Sequence, residues 1–193
     1  MNKTFINLTI LIIFLDVFSC TNQNPKVEMQ TTAGKIVFEL YPGKAPVTVS
    51  NFLKYVDNGR FNHAEFYRVV HPDNQPGKKV LIEVIQGGLE FTEKIDTIPG
   101  IVHETTEKTG IKHLNGTLSM ARDKPGSAST EFFICIGNQP ELDFGGKRNP
   151  DGQGFAAFGK VIEGMDVVKK IHQMPDTSQY LVNRVKISMK RIM

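Results

Sequence analysis

The chain has 193 residues, 40% of them hydrophobic, and a formal net charge of +3, which suits one globular domain with a short extension. No run of Lys and Arg forms the basic stripe that nucleic-acid binding requires, so DNA and RNA are set aside as partners. Two cysteines exclude a disulfide framework, and 17 glycines with 10 prolines point to the many turns of an all-β protein.

The N-terminus carries Lys3 and then an apolar run, Ile10–Leu15, too short and too close to the start for a membrane span. Val17-Phe18-Ser19-Cys20 resembles a bacterial lipoprotein cleavage box, in which a small residue precedes a cysteine that receives lipid. Asp16 and Phe18 depart from that pattern, and the other reading is an ordinary secretory signal with an incidental cysteine. We expect residues 1–19 to be a signal peptide, 20–29 a lipidated Cys20 with its tether, and 30–193 the folded domain. The localisation implied is the bacterial cell envelope, periplasmic or membrane-anchored as a lipoprotein. Several acyl chains would anchor Cys20 firmly, since each buried methylene contributes about 0.8 kcal/mol.

Lys35–Leu40 alternates, with Ile36, Phe38 and Leu40 on one face of a strand. Pro46 suits the first turn of a helix whose apolar stripe is Val49, Phe52, Leu53 and Val56, closed by Asn58-Gly59. Phe66–Val70 is the next strand, with Phe66, Arg68 and Val70 expected on one face. His71–Gly77 is loop chemistry, and Val80–Ile85 reads as a buried strand ending at Gln86-Gly87-Gly88. Residues 89–115 are irregular, with room for a short helical turn. Gly116–Ile136 reads as a hairpin whose flanks, Leu118–Ala121 and Phe132–Ile136, are apolar around a small, polar loop. Asn138–Gly154 is a loop and Phe155–Val161 a strand. Gly164–Met174 has Met165, Val168 and Ile171 at helical spacing, and Val185, Ile187 and Met189 alternate in a terminal strand. Seven or eight short strands separated by loops, with one helix early and one late, argue for an antiparallel barrel.

The familiar catalytic patterns do not occur. The five histidines form no i, i+4 pair and have no cysteine at ligand spacing, so no metal is expected. Gly87-Gly88 and Gly145-Gly146 lack the rest of a phosphate cradle, and there is no G-x-S-x-G elbow. Arg68 stands out as a charge between apolar neighbours, either snorkelling to solvent or aimed into a site.

Phe66-Tyr67-Arg68-Val69-Val70, Ile85-Gln86-Gly87-Gly88, Gly116-Thr117-Leu118-Ser119-Met120-Ala121, Glu131-Phe132-Phe133-Ile134-Cys135 and Phe155-Ala156-Ala157-Phe158-Gly159-Lys160-Val161 occur in that order. Together they resemble the cyclophilin family of peptidyl-prolyl cis-trans isomerases over about residues 30–192. The resemblance implies a mainly β fold, a closed eight-stranded antiparallel barrel capped by two helices. It implies acceleration of X-Pro bond rotation with no cofactor, acting on proline-containing segments of exported proteins as they fold. The alternative is a proline-peptide binding module or chaperone with little turnover. A monomer is expected.

By motif position the catalytic arginine is Arg68. The resemblance assigns Met120, Phe133, Leu142 and Phe155 to the proline pocket, Gln86 to a substrate hydrogen bond, and Ala121 and Arg122 to backbone pairing with the peptide. Three features depart from the family. Arg68 and Gln86 are separated by an insertion, His71–Lys79. Glu83 or Val84 stands where an aromatic residue usually lines the pocket. Glu131 and Glu141 replace a glutamine and a tryptophan, and with Glu83 they are the candidate specificity positions; Glu131 and Glu141 are either solvated surface carboxylates, the favoured reading, or groups that favour basic residues beside the proline.

Overall fold

The computed structural model describes residues 23–91 and 97–192. Cys20 and the expected signal peptide lie outside the described residues. β1 (Lys26–Thr31) and β2 (Gly34–Leu40) form a tight hairpin, with the Thr31 hydroxyl accepting from the Ala33 and Gly34 N–H groups. β1 begins inside the segment expected to be a tether. Its Val27 and Met29 are fully buried, so the domain starts before residue 30.

Helix α1 (Pro46–Asp57) follows, with Val49, Phe52, Leu53 and Val56 buried as their spacing requires. Ala45 provides no side-chain cap. The Glu104 carboxylate, from a distant loop, accepts from the Val47 and Thr48 N–H groups instead. The remaining elements are β3 (Glu65–Val70), β4 (Val84–Gly88), a one-turn α2 (Thr106–Thr109), β5 (Thr117–Met120), β6 (Phe132–Cys135), β7 (Ala156–Glu163), α3 (Met165–His172), β8 (Asp176–Thr177) and β9 (Tyr180–Ile192).

The sheet runs β1-β2-β7-β5-β6-β4-β3-β9, and β1 pairs with β9 to close an eight-stranded antiparallel barrel. β8 is a two-residue strand attached to the edge of β9. Closure removes the open edges that the early and late strands would otherwise present. Phe52 from α1 meets Phe61, Phe132 and Phe158 at ring-centroid distances of 5.0, 5.6 and 5.1 Å. Val168 and Ile171 of α3 enter the same core.

The strand expected over Val80–Ile85 is shifted. Ile82 is buried, but its N–H and C=O bond to the side-chain amide of Gln75 rather than to a neighbouring strand. The ladder therefore begins at Val84.

Period-two alternation divides β6 between two faces. Phe132 and Ile134 fill the barrel, whereas Phe133 and Cys135 join Val70, Ile82, Val84 and Leu142 in a second apolar cluster outside it. This outer cluster carries the site.

Candidate active site

β3 pairs with β4 on one side and β9 on the other, and both ladders slip between Phe66 and Arg68. The bulge breaks the expected alternation. Phe66 and Val69 enter the barrel core, Val70 joins the outer cluster, and Arg68 lines an outer cavity. Opposite the slip, a Cβ on Gly87 would lie 2.6 Å from the Glu65 carbonyl oxygen, so the close strand approach requires glycine.

The Arg68 guanidinium is held by two neutral side chains. Nη1 donates to Gln86 Oε1 at 2.7 Å, while Nε and Nη2 both donate to Gln179 Oε1. Of its five N–H groups these bonds use three, leaving two with no acceptor among the described residues. Gln86 Nε2 donates to the Tyr67 hydroxyl at 2.7 Å, and Tyr67 in turn donates to Glu131 Oε2 at 2.6 Å. The chain of bonds fixes the Gln86 amide so that its oxygen faces Arg68.

Gln179 sits in the β8–β9 turn at φ 76°, a left-handed conformation uncommon for a residue with a side chain. Its Nε2 donates to the Asn74 carbonyl, and its N–H donates to Asp176. Asn74 and His71 also bond Asp176, which ties the His71–Lys79 insertion to that turn. Gln75, in the insertion, bridges His71 to Ile82 just beyond it and accepts from Arg148 at 3.0 Å. The insertion is thus a braced wall beside the cavity, and the hairpin it supports holds Arg68.

The apolar half comes from Val84, Phe133, Leu142, Phe155, Ile82 and Ala121. Phe133 meets Phe155 edge-on with centroids 5.3 Å apart, and His113 stacks behind Phe133 at 5.9 Å. Asp143 and Ser119 bond the two His113 ring nitrogens at 2.8 and 2.9 Å. Burial lowers the His113 pKa, which favours the neutral ring. The whole cavity is about 600 Å³.

Arg122 is locked in place. It makes two bonds to Asp151 and two to the Gly154 carbonyl, and its guanidinium lies 5.3 Å from the Phe155 ring centroid. The pairing holds the Asp151 carboxyl down to about 2. Ala121 donates its N–H to the Glu131 carbonyl, so that group is already used within the barrel.

Among the residues expected at the site, Arg68, Gln86, Ala121, Arg122, Glu131, Phe133, Leu142 and Phe155 line one cavity. Met120 does not. It registers with Phe132 and Ala156, and strand parity sends it into the barrel core. Val84 lines the cavity and Glu83 does not. The Glu131 carboxylate is turned inward and accepts from Tyr67, Leu89, Glu90 and Thr130; burial raises its pKa. Glu141 accepts from the Lys147 N–H and also lies outside the lining. None of the three glutamates therefore offers a free carboxylate to a peptide in the cavity, which removes the ground for a basic preference, and Glu131 is buried rather than solvated.

Sequence reasoning missed Gln179, Tyr67, Ile82, Lys78, Lys79 and Arg148. Gln179 stands more than a hundred residues from Arg68, and no local pattern connects them. Among the described residues, no three His, Cys, Asp or Glu side chains converge as metal ligands.

Residues 26–191 match the family model described as cyclophilin type peptidyl-prolyl cis-trans isomerase/CLD. The chain belongs to the cyclophilin family. It is 39% identical over 158 residues to a peptidyl-prolyl cis-trans isomerase of Acinetobacter baylyi, covering 81% of this chain and 76% of the relative. It is 35% identical over 153 residues to peptidyl-prolyl cis-trans isomerase B of Escherichia coli, covering 75% and 82%. A Cryptosporidium parvum cyclophilin-type isomerase superposes with a TM-score of 0.70 at 22% identity, covering 88% of this chain and 98% of that one. A second structure of that protein, in the presence of the dipeptide Ala-Pro, has a TM-score of 0.69 at 24% identity, covering 87% and 99%. The cyclophilin barrel described above is accordingly that of a peptidyl-prolyl cis-trans isomerase.

Proposed function

We propose that this cyclophilin accelerates X-Pro rotation through Arg68, acting on proline-containing segments of exported proteins while they fold. The amide barrier is about 18–20 kcal/mol and arises from resonance, so uncatalysed X-Pro isomerisation takes tens of seconds or more. Catalysis needs no covalent step. It needs a surface that binds the twisted amide better than either planar isomer.

The single observation that carries this reading is the pair of uncommitted Arg68 N–H groups beside the Phe133–Leu142–Phe155 wall. A proline ring seated on that wall would bring its nitrogen toward Arg68. As the bond twists, the nitrogen recovers its lone pair and becomes an acceptor. Donation from Arg68 then strengthens in the transition state and hinders return to conjugation. The bonds to Gln86 and Gln179 pre-orient the donor, which reduces reorganisation during rotation.

In a prolyl-peptide isomerisation assay, Arg68→Ala should lower kcat/KM about 10²–10³-fold, the range for loss of a preorganised donor. Equal turnover by wild type and Arg68→Ala would sink the mechanism. Peptide binding without wild-type turnover would favour the binding-module reading instead.

The N-terminal residues motivate the export part of the proposal. The Val17–Cys20 segment resembles a lipoprotein box, and cleavage before Cys20 would leave the barrel on a short membrane tether. Mass spectrometry of the cell-derived protein should find Cys20 as an acylated N-terminus. A protein that keeps residues 1–19 would refute this.

A further inference from the structure

We propose that the cavity selects prolines flanked by acidic residues, with Asp or Glu carboxylates received by a cationic rim built from the insertion and the loop facing it. The inference rests on the isomerase reading and adds its substrate class. Lys78 and Lys79 come from the end of the insertion, Lys147 and Arg148 from the loop after Leu142, and Arg68 lines the same cavity.

What matters is how little of this charge is answered. Arg68 is held by two glutamines. Arg148 Nη1 donates to Gln75 Oε1 at 3.0 Å and to the Val80 carbonyl at 2.8 Å, again neutral acceptors. Among the described residues, no carboxylate lies within ion-pair distance of Arg68, Arg148, Lys78, Lys79 or Lys147. The nearby anions are mostly committed. Asp151 pairs with Arg122, Glu131 is bonded inward, and Glu141 accepts from a backbone N–H. Asp123 is the exception, a single exposed carboxylate on the lining.

Two further observations agree. Asn149 Nδ2, in the same loop and on the same lining, is buried with no acceptor among the described residues. Burial, and then the neighbouring Arg68 charge, push the Arg148 pKa down. That repulsion is relieved when an anion enters between the two guanidiniums. A cavity lined by apolar side chains and by cations of one sign also focuses the field into the cleft.

The test compares peptides that differ only in the residue beside proline (Glu, Gln or Lys), with exchange followed by NMR in the absence of protease. The expected order of kcat/KM is Glu, then Gln, then Lys. The ends should differ about five- to tenfold at low salt, as several partly exposed charge contacts acting together would give. The ratio should shrink toward one at about 0.5 M salt, where the Debye length falls to a few ångströms. It should also shrink in a Lys78→Gln/Lys79→Gln double variant, whose changes lie on exposed side chains. Equal rates for the three peptides, or a preference for Lys, would overturn the proposal. So would a Glu preference that survives both salt and the double variant. Failure to turn over any of the three peptides would instead overturn the isomerase reading beneath it.

Discussion

Arg68 commits three N–H groups to glutamine oxygens, and one of those glutamines, Gln179, is held at a positive φ by a turn that Asp176 and Asn74 brace. The guanidinium is therefore aimed from outside its own strand. Gln179→Ala should leave Arg68 charged and present but free to turn, lowering kcat/KM about ten- to a hundredfold, the scale of misplacing a catalytic group. The loss should fall on kcat more than on KM, which separates positioning from simple loss of binding area. Gln179→Glu should also slow the enzyme, because an ion pair would draw Arg68 more strongly toward the turn. A Gln179→Ala enzyme with unchanged kcat would mean that Gln86 alone orients Arg68. At this scale the sequence was only half legible. Arg68 and Gln86 lie in recognisable strings, whereas Gln179 lies in Thr177-Ser178-Gln179-Tyr180, where nothing marks it.

The insertion His71–Lys79 decides the shape of the site at the level of elements. Its Gln75 side chain bonds both backbone polar groups of Ile82, which lies between the insertion and the start of β4 and joins no ladder. Gln75→Ala would strand a buried N–H and C=O and release Arg148 from one acceptor. We expect destabilisation of about 1–3 kcal/mol, the cost of buried polar groups without partners, read by urea unfolding. Faster proteolysis within residues 71–83 should accompany it. Unchanged stability would show that water readily replaces the amide. This element also explains the misplaced strand. Val80–Ile85 is apolar enough for a strand, but periodicity does not report which partner satisfies its backbone. The bulge at Phe66–Arg68 escaped for a similar reason, since strict alternation assumes an unbroken ladder.

For the whole molecule, stability should depend on pH through His113. Its ring is buried between Asp143, Ser119 and Phe133, with Lys112 near the same carboxylate, and burial lowers its pKa below the unfolded value of about 6.5. A histidine with a lowered folded pKa favours the folded state fully above its unfolded pKa. That contribution falls away as pH drops from there through the folded value, because the unfolded chain takes the proton first. Unfolding free energy measured by urea should therefore decline below about pH 6.5, and His113→Phe should flatten that part of the slope. An equal slope in both proteins would assign it to other groups. The Asp151–Arg122 pair adds a later loss, with stability present above the ordinary carboxyl pKa and lost as pH falls through about 2.

Local chemistry was enough to determine the β-rich class, the amphipathic α1 and α3, the strings around Arg68, Gln86 and Phe133, and hence the family and its activity. Those features depend on spacing along one segment, which a sequence displays directly. Tertiary structure decided the rest. Closure through β1 moved the domain boundary to before residue 30, and strand parity sent Met120 to the core and Phe133 to the site. Long-range hydrogen bonds turned Glu131 inward and brought Gln179 to Arg68. Each of these outcomes depends on which distant group completes a buried polar contact or fills a strand edge, and such partners are chosen in space, not along the chain.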